Sequence, residues 1–179
     1  MYFFTADQHY GHNNIILYCS RPFLTVLEMD NEIIKRHNSV VKDNDTVIHC
    51  GDFTLLHNCD FVYENYVSKL TGNHIFLRGS HDGWLDKEKY HERWEKNIDG
   101  LYVVCDHYAG RVWTRSHYGS FQCFGHSHGN LKGQGLQYDV GVDNNDFYPV
   151  SINKIYTLKK EYENESKETR ERELLRRDC

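Results

Sequence analysis

Short apolar runs alternate with amphipathic stretches along most of the chain, and this alternation predicts the order of its elements. Seven apolar runs predict buried strands, at residues 2–6, 46–50, 74–77, 101–105, 121–124, 137–142 and 151–158. A capping box, Thr25-x-x-Glu28, predicts the start of a helix, and helical spacing recurs from Phe61 to Leu70. Apolar strands that alternate with helices predict an α/β fold whose strands are largely buried.

The end of the chain has a different composition from the rest. Residues 159–179 are mostly Lys, Arg and Glu, and opposite charges lie four residues apart, as in Glu163 and Lys167. Such a run is typical of a solvated helix face. We therefore predict one domain over residues 1–158, followed by a charged C-terminal helix or tail over residues 159–179.

Polar residues that suit metal or acid–base chemistry follow five of the predicted strands, at the carboxyl end of each. The five groups are Asp7-Gln8-His9, Gly51-Asp52, Gly79-Ser80-His81-Asp82, Asp106-His107 and Gly125-His126-Ser127-His128. In open α/β sheets, ligands bind at the edge that the carboxyl ends of the strands form. The sequence therefore predicts a single site that gathers these side chains.

The residue types at the strand ends indicate a metal site. The chain contains 12 histidines among 179 residues, and imidazole combined with carboxylate favours Mn, Fe, Zn, Ni or Co over calcium. The side chains at the strand ends outnumber the ligands of one tetrahedral ion, so the pattern favours two ions that share a carboxylate. The alternative is an α/β protein whose histidines bind no metal.

Composition and charge argue against membrane and secreted proteins and against general nucleic-acid binding. No apolar run approaches the ~18 residues that a membrane-spanning helix needs, and the first residues show no secretion signal. The six cysteines are irregularly spaced, which indicates reduced thiols, so we expect a cytoplasmic protein that does not bind membranes. The formal net charge of −5 gives no general attraction to nucleic acid.

The five groups, in this order, resemble the blocks of the calcineurin-like metallophosphoesterase superfamily, which are D-x-H, G-D, G-N-H-[DE], H and G-H-x-H. The match runs from about Tyr2 to Ser151, and the chain is most similar to the small stand-alone bacterial and phage members. The resemblance implies an α/β fold of two mixed β-sheets, packed face to face and flanked by helices in α-β-β-α layers.

The resemblance also implies a role for each group. One metal ion would be held by Asp7, His9 and His128 and the other by Ser80, His107 and His126, with Asp52 bridging the two. Manganese is the expected metal, with Fe, Zn, Ni and Co as alternatives. Water activated by the metals would attack phosphorus, His81 would protonate the leaving oxygen, and Asp82 would orient the His81 ring. His12 and Arg21 are the predicted contacts to substrate.

One position departs from the family pattern, because Ser80 stands where the family has Asn. A hydroxyl is shorter than an amide and a poorer neutral ligand, so we expect weaker binding of the second metal. The implied function is a dinuclear metal-dependent phosphoesterase acting on a small phosphodiester, of the nucleotide or cyclic nucleotide type. Two alternatives stay open: a phosphomonoesterase or protein phosphatase, and an impaired module that binds metal and phosphate and acts through a partner.

Overall fold

The computed structural model describes residues 1–86, 88 and 90–177, with the side chains of the last helix described through residue 169. Within these residues, eight strands form two four-stranded sheets. In chain order the strands are β1 (Tyr2–Thr5), β2 (Thr46–His49), β3 (Asn73–Phe76), β4 (Trp94–Ile98), β5 (Leu101–Cys105), β6 (Phe121–Phe124), β7 (Gln137–Asp139) and β8 (Val150–Ser151). Asp178 and Cys179, the end of the predicted charged segment, lie outside the described residues.

Both sheets are mixed, as the sequence predicts. In the first sheet the order is β3-β2-β1-β8, with β1, β2 and β3 parallel and β8 antiparallel to β1. In the second the order is β4-β5-β6-β7, with β4 antiparallel to β5 and the other neighbours parallel. The helices are α1 (Ile15–Tyr18), α2 (Val26–Val40), α3 (Cys59–Asn65) and α4 (Ile152–Arg177), with 3₁₀ helices at Val67–Lys69, Ser116–Tyr118 and Val142–Asn144. The predicted α/β fold of two mixed sheets flanked by helices is confirmed.

One hydrophobic core joins the two sheets. It consists of buried side chains from both sheets and from α4, among them Phe4, Ile48, Val103, Cys123 and Ile155. A second core packs α2 and α3 against the first sheet, through Met29, Val62 and Phe76. Because both sheets are anchored in a common core, the loops at their carboxyl ends are held in fixed relation to each other.

The predicted strand at residues 151–158 is wrong, because these residues begin helix α4. The isoleucines at 152 and 155 lie three residues apart, so one helix face carries both into the core. The hydroxyl of Ser151 accepts from the Lys154 amide and caps the helix. The predicted boundary at residue 158 therefore falls inside a continuous helix. In the part of the chain that the structure describes, no helix combines the length and apolarity needed to cross a bilayer.

The edge strand β4 was not predicted. Its central residues are Glu95, Lys96 and Asn97, so it shows neither an apolar run nor a clear alternation. It lies at the edge of the second sheet, where one side of a strand meets solvent and polar residues are tolerated. The run predicted at 137–142 also ends early, because pairing in β7 stops at Asp139.

Three histidines outside the predicted site form a buried group on α2, β2 and β3. Gln8 Nε2 donates to His49 Nδ1 (3.2 Å), which leaves His49 Nε2 to donate to His74 Nδ1 (3.0 Å). The His37 ring lies 5.6 Å from that of His74, and its Nε2 donates to a backbone carbonyl (2.9 Å). Burial lowers the pKa of all three, that of His37 to about 4. The fold therefore requires these rings to be neutral.

We expect this group to make folding acid-sensitive. A histidine whose pKa is lower in the folded than in the unfolded protein contributes its full stabilisation above the unfolded pKa of ~6.5. This stabilisation is lost as the pH falls toward the folded pKa, which is about 4 for His37. When the pH is lowered from 7.5 to 5, the unfolding free energy of the wild type should fall by about 2 kcal/mol more than that of His37→Gln. Urea denaturation at the two pH values measures the difference. The exposed-ring control His91→Gln should behave as wild type, and equal losses in all three proteins would contradict the account.

Candidate metal centre

The site is built from loops at the carboxyl ends of the strands, and its backbone is unusual. Five of the seven predicted metal ligands adopt a left-handed backbone: Asp7, His9, Asp52, His126 and His128, with φ between 47° and 68°. This conformation costs roughly 1–3 kcal/mol for a residue with a side chain, although Asp and His tolerate it better than most. Such a concentration of strained positions is typical of a functional site, where the surrounding structure imposes the geometry.

The first predicted ligand group is brought together. Single ligand atoms of Asp7, His9 and His128 lie within 4.8 Å of one another, although His128 is more than a hundred residues from the other two. Asp7 is held by the backbone amide of His126, which donates to both of its carboxylate oxygens at 3.0 and 2.9 Å. Asp7 and His9 are buried and His128 is half-buried, so the group lies at the floor of the site.

The residues predicted for the second ion are brought together in part. Ligand atoms of His107 and His126 lie within 4.8 Å of each other and of the predicted bridge Asp52. The Nδ1 atom of His107 donates to the Cys50 carbonyl (2.9 Å), which leaves Nε2 to face the site. His126 is exposed, so this group opens to solvent on one side.

Asp52 lies between the two groups. Its Oδ2 atom is 3.9 Å from His9 Nε2 in the first group and 3.4 Å from His107 Nε2 in the second. A carboxylate in this position faces ligands of both groups through one oxygen. This arrangement agrees with the bridging role that the family resemblance implies for Asp52.

The donor set fits two transition-metal ions. Both ring nitrogens of His9 and Nε2 of His107 are buried without a hydrogen-bond partner among the described residues. Each such orphaned group costs about 1–3 kcal/mol, and a cation bound between these rings and Asp52 would satisfy the nitrogens that face it. Imidazole and carboxylate together are the ligands of borderline divalent ions.

Protonation equilibria give further evidence for cation binding. Burial raises the pKa of Asp7 to about 7 and lowers the pKa of His9 to about 3. Burial alone would also raise the pKa of Asp52, but the His107 ring, the His81 amide and the His9 ring together hold it well below its usual range. The buried carboxylate of Asp7 therefore lacks a sufficient counter-charge, and a cation bound here competes with a proton on Asp7.

The Gly79 backbone packs directly against Asp52. A side chain at Gly79 would collide with the Asp52 amide and carboxylate, and one at Gly51 would lie 2.5 Å from His107 Nδ1. Gly51 also has a φ of +96°, which disfavours any side chain. These two glycines let the loops after β2 and β3 approach closely enough to build the second group.

Ser80 lies beside this bridge. Its hydroxyl donates to Asp52 Oδ2 at 3.0 Å, the same oxygen that faces His9 and His107. The Ser80 side chain is exposed, so it can turn toward a cation or stay on the carboxylate. The predicted role of Ser80 as a direct ligand therefore stays a prediction.

Asp82 has a different role from the predicted one. It was expected to orient the His81 ring, but its buried carboxylate accepts from the backbone amides of Asp52 (2.6 Å) and Gly79 (2.8 Å). It also accepts from the Phe53 amide and from the indole nitrogen of Trp84. Asp82 thus ties the loop after β2 to the loop after β3.

His81 lies beside the first ligand group, and its predicted role as general acid stays a prediction. Its ring is exposed and lies 5.6 Å from the His9 ring, measured between ring centroids. Its backbone amide donates to Asp52 Oδ1 (2.8 Å), which fixes the loop that carries it. An exposed imidazole beside the first ligand group is available to a bound substrate.

His12 lies on the same side of the site as His81. Its ring centroid is 5.5 Å from that of His9, and its Nδ1 atom is buried without a partner among the described residues. The predicted contact of His12 with substrate is compatible with this position and stays a prediction.

Arg21 is placed differently from the prediction that it contacts substrate. The residue is 5% exposed, and all five of its N–H groups have acceptors within the protein. They donate to both carboxylate oxygens of Asp143 and to Met29 Sδ, and to the backbone carbonyls of Asp7 and Gln8. The guanidinium lies behind the ligands and supports the loop of Asp7.

Asp143 is a residue of the site that is absent from the predicted site residues. Its Oδ2 accepts from His128 Nδ1 (2.7 Å), while Arg21 donates to both of its oxygens. A carboxylate on the far nitrogen of a ligand histidine fixes the tautomer and orientation of the ring. The segment Val140-Gly141-Val142-Asp143 resembles the family, but no strand-end pattern marked Asp143.

Comparisons with known proteins find relatives of the whole chain and of its fold. No protein-family model matches the sequence. The uncharacterized protein MJ1445 of Methanocaldococcus jannaschii is 31% identical over 160 residues, which cover 86% of this chain and 88% of that protein. The crystal structure of the protein of unknown function AQ665 from Aquifex aeolicus has a TM-score of 0.70 at 25% identity, covering 88% of this chain and 98% of that one.

A conserved uncharacterized protein from Streptococcus pneumoniae TIGR4, described as a predicted phosphoesterase, is more distant. It has a TM-score of 0.36 at 16% identity over 71% of this chain and 62% of that one. The chain therefore belongs to one family with the uncharacterized protein MJ1445.

Proposed function

We propose that the chain is a metal-dependent phosphoesterase that binds two divalent ions and hydrolyses a phosphodiester. The observation that carries the proposal is the position of Asp52, with one oxygen facing a ligand histidine of each group. Ions held by Asp7, His9 and His128 and by Asp52, His107 and His126 would polarise the phosphoryl oxygens and lower the pKa of water.

Other residues of the chain would supply a proton and hold the ligands in position. The exposed His81 ring is the proposed general acid, because an imidazole beside the bound phosphoryl group can donate a proton to the leaving oxygen. Asp143 holds His128 in one tautomer, and Arg21 holds Asp143. A diester is favoured because the exposed His81 and His126 border a site that is open to solvent.

Hydrolysis of model esters tests the proposal. Protein loaded with Mn²⁺ should hydrolyse a bis-aryl phosphodiester faster than an aryl phosphomonoester, and His81→Ala should lower kcat by roughly 10²–10⁴-fold. His117→Ala is the matched control, since that exposed ring lines a separate cavity with Arg111 and Trp113. Protein that binds metal but turns over neither ester faster than His81→Ala would overturn the proposal.

A second candidate is a module that binds metal and phosphate without turnover, and Ser80 is the observation that favours it. The Ser80 hydroxyl donates to the bridging oxygen of Asp52 and so competes for the oxygen that a cation needs. Under this reading, phosphate should bind to the metal-loaded protein although no ester is hydrolysed.

Ser80→Asn should strengthen binding of the second metal ion. An amide oxygen reaches farther and is a better neutral ligand than a hydroxyl, so we expect about tenfold tighter binding of the second Mn²⁺ and higher turnover at limiting metal. Calorimetric titration with Mn²⁺ measures the affinity, and Ser68→Asn, at an exposed serine of the Val67–Lys69 3₁₀ helix, is the control. Unchanged affinity in Ser80→Asn would show that position 80 does not bind the metal.

A further inference from the structure

A cavity of about 300 Å³ adjoins the second ligand group. His107 belongs to both, since it lines the cavity and also lies in the ligand group with Asp52 and His126. Other lining residues are Arg78, Tyr108 and Gln122. A molecule whose phosphoryl group is bound at the metal ligands therefore has space for a further part in this cavity.

Tyr108 provides an aromatic surface in this cavity. Its ring packs at steep angles against the rings of His107 and His126, with centroids 4.7 and 4.6 Å apart. The residue is nevertheless 54% exposed, so much of the ring is not covered by the protein. An aromatic ring that is held on one side and free on the other is suited to stack on a planar base.

Arg78 is a cation of the cavity that has no carboxylate partner. Its guanidinium lies over the Tyr90 ring (5.4 Å to the centroid), and its Nη1 donates to the Tyr90 hydroxyl (3.2 Å). Within the described part of the chain no carboxylate lies at salt-bridge distance from it. Arg93 differs, because its Nε is paired with Asp106 at 2.6 Å. The exposed Glu92 also lines the cavity. A guanidinium without a carboxylate partner is suited to bind a phosphate group.

We propose that this cavity binds a nucleotide portion of the substrate, with its base against Tyr108 and a second phosphate at Arg78. The inference rests on the proposed function for the position of the scissile phosphate, and it adds the class of substrate: a nucleotide phosphodiester that carries a further phosphate. Because the chain has a net charge of −5, a second phosphate held away from the metal ligands gains from a local cation such as Arg78.

Equilibrium binding of two dinucleotides tests the inference independently of turnover. The probes are a dinucleotide with a 5′-phosphate and the same dinucleotide without it, titrated by calorimetry into manganese-loaded His81→Gln. The phosphorylated probe should bind about tenfold more tightly, and Arg78→Gln should remove this difference. Tyr108→Ala should weaken both probes about tenfold. The controls Arg111→Gln and Tyr118→Ala, at exposed residues outside this cavity, should change neither affinity.

Two results separate this inference from the proposed function. Equal affinities for the two dinucleotides, or a preference that survives Arg78→Gln, would overturn the nucleotide cavity even if the bis-aryl ester is hydrolysed. A preference that Arg78→Gln removes, in a protein that hydrolyses no ester, would support the cavity and overturn the proposed hydrolase.

Discussion

Replacing Asp52 by Asn should remove most of the metal and the activity from the protein while leaving the fold intact. Asp52 is 2% exposed, and one of its oxygens faces His9 and His107. Asn preserves the size of the side chain but removes the charge between the two ligand groups. Loss of even an outer partner of a metal ligand commonly costs 10–100-fold in affinity or activity, so we expect loss of a bridging ligand to lower turnover by at least about a hundredfold.

Elemental analysis after desalting and turnover of the bis-aryl ester measure the effect of Asp52→Asn. Asp45→Asn is the matched control, because Asp45 precedes the opposite end of β2 and binds the amino terminus at 2.6 Å. The control should keep its full metal content. If Asp52→Asn keeps both its metal and its turnover, Asp52 is not the bridge.

The second large effect is expected for Asp82, and it concerns stability. Its carboxylate accepts from three backbone amides at 2.6–2.9 Å and from the indole of Trp84 at 3.0 Å. Each buried donor left without a partner costs about 1–3 kcal/mol. We therefore expect Asp82→Ala to lower the unfolding free energy by about 4 kcal/mol or more, which is exceptional for one substitution.

Urea denaturation of metal-free protein measures this loss. Asp86→Ala, at an exposed carboxylate four residues later in the same loop, should change stability by no more than about 0.5 kcal/mol. If Asp82 instead orients the His81 ring, Asp82→Asn should be nearly as stable as the wild type and should shift the pH profile of kcat. That pair of results would contradict the structural role.

The groups at the strand ends could be predicted because two constraints act on the same few positions. Apolar runs such as those of β1 and β2 mark the strands, and the carboxyl ends of parallel strands lie at one edge of a sheet. Asp7 and Asp52 follow these strands directly, so their proximity follows from the sheet itself. The structure brings together the side chains predicted for the first ion and, beside Asp52, two of the three predicted for the second, while metal binding by them and the role of Ser80 stay predictions.

The supporting residues could not be predicted, because their roles depend on contacts between distant segments. Arg21 and Asp143 are 122 residues apart, and nothing local shows that the guanidinium is buried with all of its donors occupied. Asp82 follows His81 in the sequence, yet its oxygens reach the loop after β2 instead. The misassigned start of α4 has a local cause, since Ile152 and Ile155 fit a strand by composition and a helix by spacing.

The most direct measurement is anomalous diffraction at the manganese absorption edge, from crystals of this protein grown with Mn²⁺. We predict two anomalous peaks, one on each side of Asp52, with His9 and His128 at one peak and His107 and His126 at the other. A single peak away from Asp52, or no peak at saturating Mn²⁺, would contradict it.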